Sequence, residues 1–304
     1  MSTAPPPRLE EIADRVYAWI QPDGTWCLNN AGFLVGPDAV TVIDTAATEA
    51  RARGLRAAIA AVTPLAPRTV VNTHFHGDHT YGNVVFAGEA AIVAHENCAA
   101  EMIEHGLLTT QLWTEVEWGD IRVVPPTVTF TDRLTLHAGD LTAELIHHGP
   151  AHTTGDVVAW LPGQRVLFTG DLIFNGGTPF VLMGSVRGWL RTLDELRALG
   201  PETIVPGHGP VCGPEVLDRT EGYLRWLQEL ARDGIAAGLS PLALARETDL
   251  GVYREWTDPE RLVGNLHRAY SEALGEPPGT PLDSMAAIME MVEYNGGRIP
   301  TCLA

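Results

Sequence analysis

The chain has 304 residues, 45% of them hydrophobic, and a formal charge of −18 from 38 acidic and 20 basic residues. That length allows a sizeable core in one domain or two. The acidic balance argues against binding nucleic acid through its phosphates, and no apolar run reaches the roughly 18 residues of a membrane helix.

Residues 1–15 begin Met1-Ser2-Thr3-Ala4-Pro5-Pro6-Pro7 and lack an apolar signal core, so a disordered leader of a cytoplasmic protein is expected. A strand follows at 16–21, then a hairpin of 31–35 and 39–44 about Gly36-Pro37-Asp38. Thr48 is the expected N-cap of a helix running to 62, which Pro64 ends. Arg68-Thr69-Val70-Val71-Asn72 reads as a buried strand, and 90–94 as another that ends at His95. Asn97 is the expected cap of a helix to 104, and the irregular stretch 107–126 is expected to lie over the site. Strands are expected at 127–129, 133–137 and 141–147, with a hairpin of 156–161 and 166–169. A helix at 188–199 and a strand at 203–205 follow. From Pro214 the pattern is helical, over 214–237, 241–255, 258–274 and 283–294. The domain organisation expected is a strand-rich unit over 16–213 with a helical region over 214–304 packed on it. All the basic residues are arginine, so no lysine is present for a Schiff base. Cys27, Cys98, Cys212 and Cys302 are scattered and read as idle thiols, neither a disulfide framework nor a zinc knuckle.

The densest chemistry lies in Thr73-His74-Phe75-His76-Gly77-Asp78-His79-Thr80. Neutral imidazole and ionised carboxylate are good ligands for Zn²⁺ and similar divalent ions. Gly77 allows a tight turn after the strand. Alternate residues of such a segment share a face, so His74 and His76 can serve one metal while Asp78 and His79 turn toward another. Three later strands end near glycine and a ligand: His152 after 141–147, Asp171 after 166–169, and His208 after 203–205. Five histidines and two aspartates suffice for two metals. His147, His148 and His95 are expected to support ligands, and His105, His137 and His267 to be surface or structural.

The order H-x-H-x-D-H, then histidine, aspartate and histidine, each after a strand, resembles the metallo-β-lactamase-fold hydrolases. The resemblance implies an α/β fold, an αββα sandwich with the site at one edge of the sheets, and the helical region beyond it. It implies that His74, His76 and His152 hold one divalent ion, that Asp78, His79 and His208 hold a second, and that Asp171 bridges them, zinc being the expected metal. Two such ions about 3.5–4 Å apart activate a shared water near neutral pH, and Asp78 is the expected catalytic residue that orients it. Thioesters, lactones, lactams and phosphoesters all remain open to such a site.

Further stretches are similar to the second-ring cyclases of aromatic (type II) polyketide biosynthesis, of the actinorhodin-type pathway. They are Trp26-Cys27-Leu28-Asn29-Asn30-Ala31-Gly32, Thr178-Pro179-Phe180, Tyr223-Leu224-Arg225-Trp226, Asn265-Leu266-His267-Arg268-Ala269 and the run from Tyr294 to Ala304. That likeness implies ring closure on an acyl-carrier-protein-bound polyketide, followed by thioester hydrolysis. Trp26, Phe75, Tyr81, Trp113, Trp118, Phe174, Phe180 and Met183 are the expected apolar walls. Such a carrier is acidic like this chain, so Arg187 and Arg191, four apart at a helix start, are the expected docking patch. A hydrolase of a small thioester or lactone, of the glyoxalase II kind, stays open beside this reading. So does a metal-binding module without hydrolytic activity. Neither nucleic acid nor membrane is an expected partner, and the oligomeric state is left open.

Overall fold

The computed structural model describes residues 5–22 and 24–304. Two sheets face each other. The first runs β1 (Arg8–Ala13), β2 (Val16–Ile20), β3 (Ala31–Val35), β4 (Val40–Ile43), β5 (Pro67–Val71), β6 (Ala91–His95) and β7 (Val128–Phe130), in that spatial order. Its first four strands are antiparallel, and β4 to β7 are parallel. The second sheet comprises β8 (Arg133–Ala138), β9 (Leu141–His147), β10 (Val157–Leu161), β11 (Val166–Phe174) and β12 (Thr203–His208), in reverse spatial order. Only β11 and β12 are parallel there. Parallel neighbours need a crossover, and helices supply most of them. α1 (Glu49–Val62) joins β4 to β5, α2 (Gly77–Thr80) lies between β5 and β6, α3 (Glu96–His105) and α4 (Leu108–Leu112) lie between β6 and β7, and α5 (Val186–Leu199) joins β11 to β12.

The period-2 alternation of the strands sorts their side chains into separate cores. Val157, Ala159 and Leu161 of β10 point between the sheets, where they meet Val16, Ile43 and Val71. Val158 and Trp160 of the same strand point the other way, into a core shared with helices. β10 is buried throughout because both its faces are covered. A third core lies outside the first sheet, where Leu55 and Ile59 of α1 pack on Phe33, Val42 and Val70. The result is four layers, helix–sheet–sheet–helix. Thr48 caps α1 by accepting from Arg51 N, a contact worth about 1 kcal/mol.

The last part of the chain supplies α6 (Glu215–Ala237), α7 (Pro241–Glu247), α8 (Arg261–Ala273) and α9 (Ser284–Tyr294). Leu217, Leu224, Leu266 and Met291 from these helices share one core with Leu167 of β11 and Trp189 of α5. No helix among the described residues is long and apolar enough to cross a membrane.

Several boundaries differ from expectation. The expected leader forms β1 from Arg8 onward, paired to β2, and its first four residues lie outside those described. β11 continues past Thr169 to Phe174, carrying Asp171 inside the strand. The helix expected over 241–255 stops at Glu247, and a single 3-10 turn follows at Gly251–Tyr253. α3 is capped by His95, whose imidazole accepts from Asn97 N, so Asn97 lies inside the first turn.

Candidate metal centre

The carboxyl ends of β5, β9 and β12 and the middle of β11 converge at one end of the sandwich. There His74, His76, His152 and Asp171 bring one ligand atom each within 4.8 Å of one another, and Asp78, His79 and His208 do the same. His76 Nδ1 lies 3.1 Å from His74 Nε2 and 2.9 Å from His152 Nε2. Asp171 sits between the groups, with Oδ1 3.0 Å from His79 Nε2 and Oδ2 3.4 Å from both His152 Nε2 and His208 Nε2. Gly207 of β12 makes this possible, because a β-carbon there would collide with the Asp171 carboxylate. Gly170, with φ +51°, lets the strand turn Asp171 inward. Gly77 lies in the turn expected of it, where His79 N donates to His76 O. It leaves room for the ring of Tyr81.

Four of the rings are held from behind. His74 Nδ1 lies 3.1 Å from Thr73 Oγ1, His79 Nδ1 lies 2.8 Å from Asp44 Oδ2, and His208 Nδ1 lies 3.1 Å from Gly24 O. His152 Nδ1 reaches Phe180 O. In each case the rear contact leaves Nε2 facing the centre, as a metal-ligating histidine requires. His79 Nε2 and Asp171 Oδ1 are buried 3.0 Å apart and have no other hydrogen-bond partner. Buried polar atoms of that kind call for a partner that hydrogen bonding does not provide, and a cation between them fits.

Electrostatics point the same way. Burial, aided by His79, drives the His74 imidazole well below its ordinary value; burial, with His152, does so for His76. Burial brings His152 to about 4. At the second group, burial is outweighed by the carboxylates. Asp171, Asp44 and Asp78 hold His79 well above its ordinary value, and Asp171 with Asp78 raises His208 to about 9. Against the pull of burial, His79 and His208 keep Asp78 at about 2, and both also hold Asp171 far below the carboxylate range. The centre thus attracts positive charge and keeps its carboxylates ionised. The residues fit a pair of divalent ions.

A cavity of ≈ 340 Å³ opens over the cluster. Of the expected walls, Trp26, Phe75, Tyr81, Trp113, Phe174, Phe180 and Met183 line it. Trp118 does not. It packs edge-on behind Tyr81 at 6.1 Å and donates its indole N–H to Trp113 O. His105, expected to be surface or structural, lines the cavity and stacks on Phe75 at 4.7 Å. His148 points to Glu195, and His147 stacks on His95 at 3.7 Å; none of these three lines the cavity. His267 pairs with Glu290, and His137 lies on the exposed edge strand β8.

Sequence reading missed Asp44, Arg261 and the Met285, Ile288, Met289 and Met291 face of α9. Three of the six methionines fall between 285 and 291, a signal present in the sequence. Arg261 lies 4.2 Å over the Trp26 ring and 5.0 Å over Phe174, and Phe174 in turn stacks on His208 at 5.1 Å. Of the expected docking pair, Arg187 is engaged within the protein. It pairs with Glu272 at 3.2 Å on the α5–α8 side, and neither Arg187 nor Arg191 lines the cavity.

Residues 24–208 match the family described as "Metallo-beta-lactamase superfamily". A linear primary-alkylsulfatase of Pseudomonas sp. is 25% identical, over 84% of this chain and 54% of its own length, so the chain spans about half of that relative. An acyl-coenzyme A thioesterase of Bos taurus is 28% identical over 50% of this chain and 60% of its own. A solved metallo-beta-lactamase from Pontibacter korlensis superposes with a TM-score of 0.59 at 22% identity, covering 72% of this chain and 99% of that one, which speaks to the fold.

Proposed function

This chain belongs to the metallo-beta-lactamase superfamily, and within it we propose a binuclear metal-dependent hydrolase and cyclase acting on a bulky aromatic acyl thioester. The substrate of this reading is a polyketide carried on an acyl carrier protein, whose second ring is closed by intramolecular aldol chemistry before the thioester is cut. The observation that carries it is the cavity wall. Aromatic and thioether side chains surround the cluster, and α8 and α9 complete the enclosure. Apart from the ligand cluster, the basic side chains on that wall among the described residues are Arg261 and His105, whose imidazole burial holds below its ordinary value. Arg261 is engaged by Asp258 at 2.9 Å and Thr178 O at 3.0 Å. An apolar, flat acyl group suits such walls, whereas a charged peptide-like acyl carrier of small size would meet mostly apolar surface there. The thioesterase among the relatives supports the reaction class.

His74, His76 and His152 would hold one ion, and Asp78, His79 and His208 the other, with Asp171 shared. The ions supply Lewis acidity toward a carbonyl oxygen and lower the pKa of water. Asp78 remains ionised, and its side chain, 14% exposed, is more open than the Asp171, His79 and His208 side chains beside it. It can orient the attacking water and relay its proton to the departing sulfur as that oxygen bonds to the acyl carbon. In ring closure the proton leaves a methylene between carbonyls, a carbon–carbon bond forms, and the ketone oxygen is protonated. The apolar walls exclude bulk water, which favours closure over premature hydrolysis.

The test offers the metal-loaded protein an aromatic polyketide thioester mimic, a penicillin and S-lactoylglutathione. Turnover of the mimic, with little of the other two, is expected. Efficient turnover of either small substrate with none of the mimic would replace this reading by a small-substrate hydrolase.

A further inference from the structure

We propose that Cys27 and Cys302 form a covalent cross-linking site, a thiol pair that closes to an intramolecular disulfide and pins residues 300–304 to the cavity wall. The fold brings together two cysteines from opposite ends of the sequence. Cys27 is 4% exposed and lines the cavity beside the metal centre. Cys302 is half-buried and packs into the same cluster, with Trp113 and Ala47. The segment that carries it is tied down on both sides. Pro300 O accepts the Trp113 indole N–H at 2.6 Å, and Leu303 O accepts from the Arg51 guanidinium at 2.6 Å. Those bonds hold the segment against the cluster that contains Cys27. Cys27 itself has φ +64°, a conformation that costs a non-glycine residue energy and recurs at functional positions. The other two cysteines lie elsewhere: Cys98 in the small core beneath α3, and Cys212 against Ile204.

The pair is chemically asymmetric. Contact with Cys27 holds the Cys302 thiol below its ordinary value, with help from the backbone at Ala304 and the nearby Arg51. The contact and burial together push Cys27 well above. Cys302 is therefore the thiol that ionises first, and the thiolate is the nucleophile. Its sulfur attacks hydrogen peroxide, the O–O bond breaks, and sulfenic acid and water form. The Cys27 sulfur then attacks the sulfenic sulfur, a second water leaves, and the S–S bond closes. Two thiols and one peroxide become one disulfide and two waters. Cys302 is partly exposed, so a small oxidant reaches its sulfur from solvent, while Cys27 lines the cavity. The cross-link joins the 24–27 loop to the segment that holds Trp113, so it stiffens one wall of the acyl cavity.

The experiment treats the metal-loaded protein with hydrogen peroxide near equimolar amount, alkylates the remaining thiols and maps the peptides. The expected result is a Cys27–Cys302 cross-linked peptide, an intact mass lower by two hydrogens, and full reversal by dithiothreitol. Cys302→Ser, which does not line the cavity, should lose the cross-link and keep turnover of the thioester mimic. Recovery of both cysteines as alkylated thiols, or as separate sulfinic acids with no cross-linked peptide, would overturn the proposal. So would a cross-link that forms only after unfolding in urea. Because the readout is covalent mass, the outcome is independent of which substrate the metal centre takes.

Discussion

Asp44 performs two alignments with one carboxylate. Oδ2 takes His79 Nδ1 at 2.8 Å and the Thr73 hydroxyl at 2.7 Å, while Oδ1 accepts Thr73 N at 2.8 Å. A carboxylate behind a histidine fixes its tautomer and makes the opposite nitrogen a better donor to metal. Asp44→Asn keeps the shape and removes the charge. The expected result is metal binding weaker by roughly 10–100-fold, confined to the ion held by Asp78, His79 and His208, and read by competition with a chromophoric chelator. Equal affinities in both proteins would reduce Asp44 to a backbone brace. The seven residues of the cluster could be read from the sequence because four histidines and aspartates within six positions mark a site and three more each follow a strand beside glycine. Asp44 could not. It is one aspartate after an apolar strand, and it acquires meaning only because β4 lies beside β5, with Asp44 N donating to Val71 O, so that its end meets the ligand loop.

Elements formed from local signals were legible, and those set by long-range pairing were not. Thr48, the alternation in β9 and the glycine after α5 mark their elements locally. β11 was cut short because Gly170-Asp171 reads as a loop. The strand resumes beyond it only because Phe174 pairs with His208 across a register shift. The 241–255 helix was overdrawn because its capping is subtle: the Thr248 hydroxyl bonds back to Leu244 O, and Asp249 then turns the chain toward Gly251 N. Arg187 shows the same limit. Its charge was visible, but its partner sits on α8, 85 residues away. Glu272 there accepts Val186 N at 2.9 Å and Arg187 N at 3.0 Å, so one buried carboxylate caps the start of α5 as well as pairing with Arg187. Glu272→Gln removes the charge from that helix N-terminus. A loss of about 1–3 kcal/mol is expected, seen as a lower denaturant midpoint with unchanged slope. A midpoint equal to that of the parent would mean Ser185 alone suffices as the cap.

The whole molecule places a concentrated set of charges where four layers meet, and that sets its response to pH. His208 is raised from 6.5 to about 9. A group whose folded-state value is raised contributes stability that is complete below its unfolded value and is lost as pH rises through the folded one. His79 shifts in the same direction. Metal-free protein should therefore lose stability between pH 6.5 and 9. When both ions are bound, those imidazoles carry metal in place of protons, so this source of pH dependence disappears and binding releases protons. Glu101 and Asp156, raised by burial to about 7 and about 8, titrate in both forms and cancel in the difference. His74, His76 and His152 are already neutral across the window. The measurement is the melting temperature of chelator-treated and metal-loaded protein at matched ionic strength, taken from pH 6 to 9.5. The gap between the two curves should widen by several degrees as pH rises, because the metal-free curve falls away from the other. A constant gap would mean that the cluster holds no protons to exchange, and the account of its charge balance would fail.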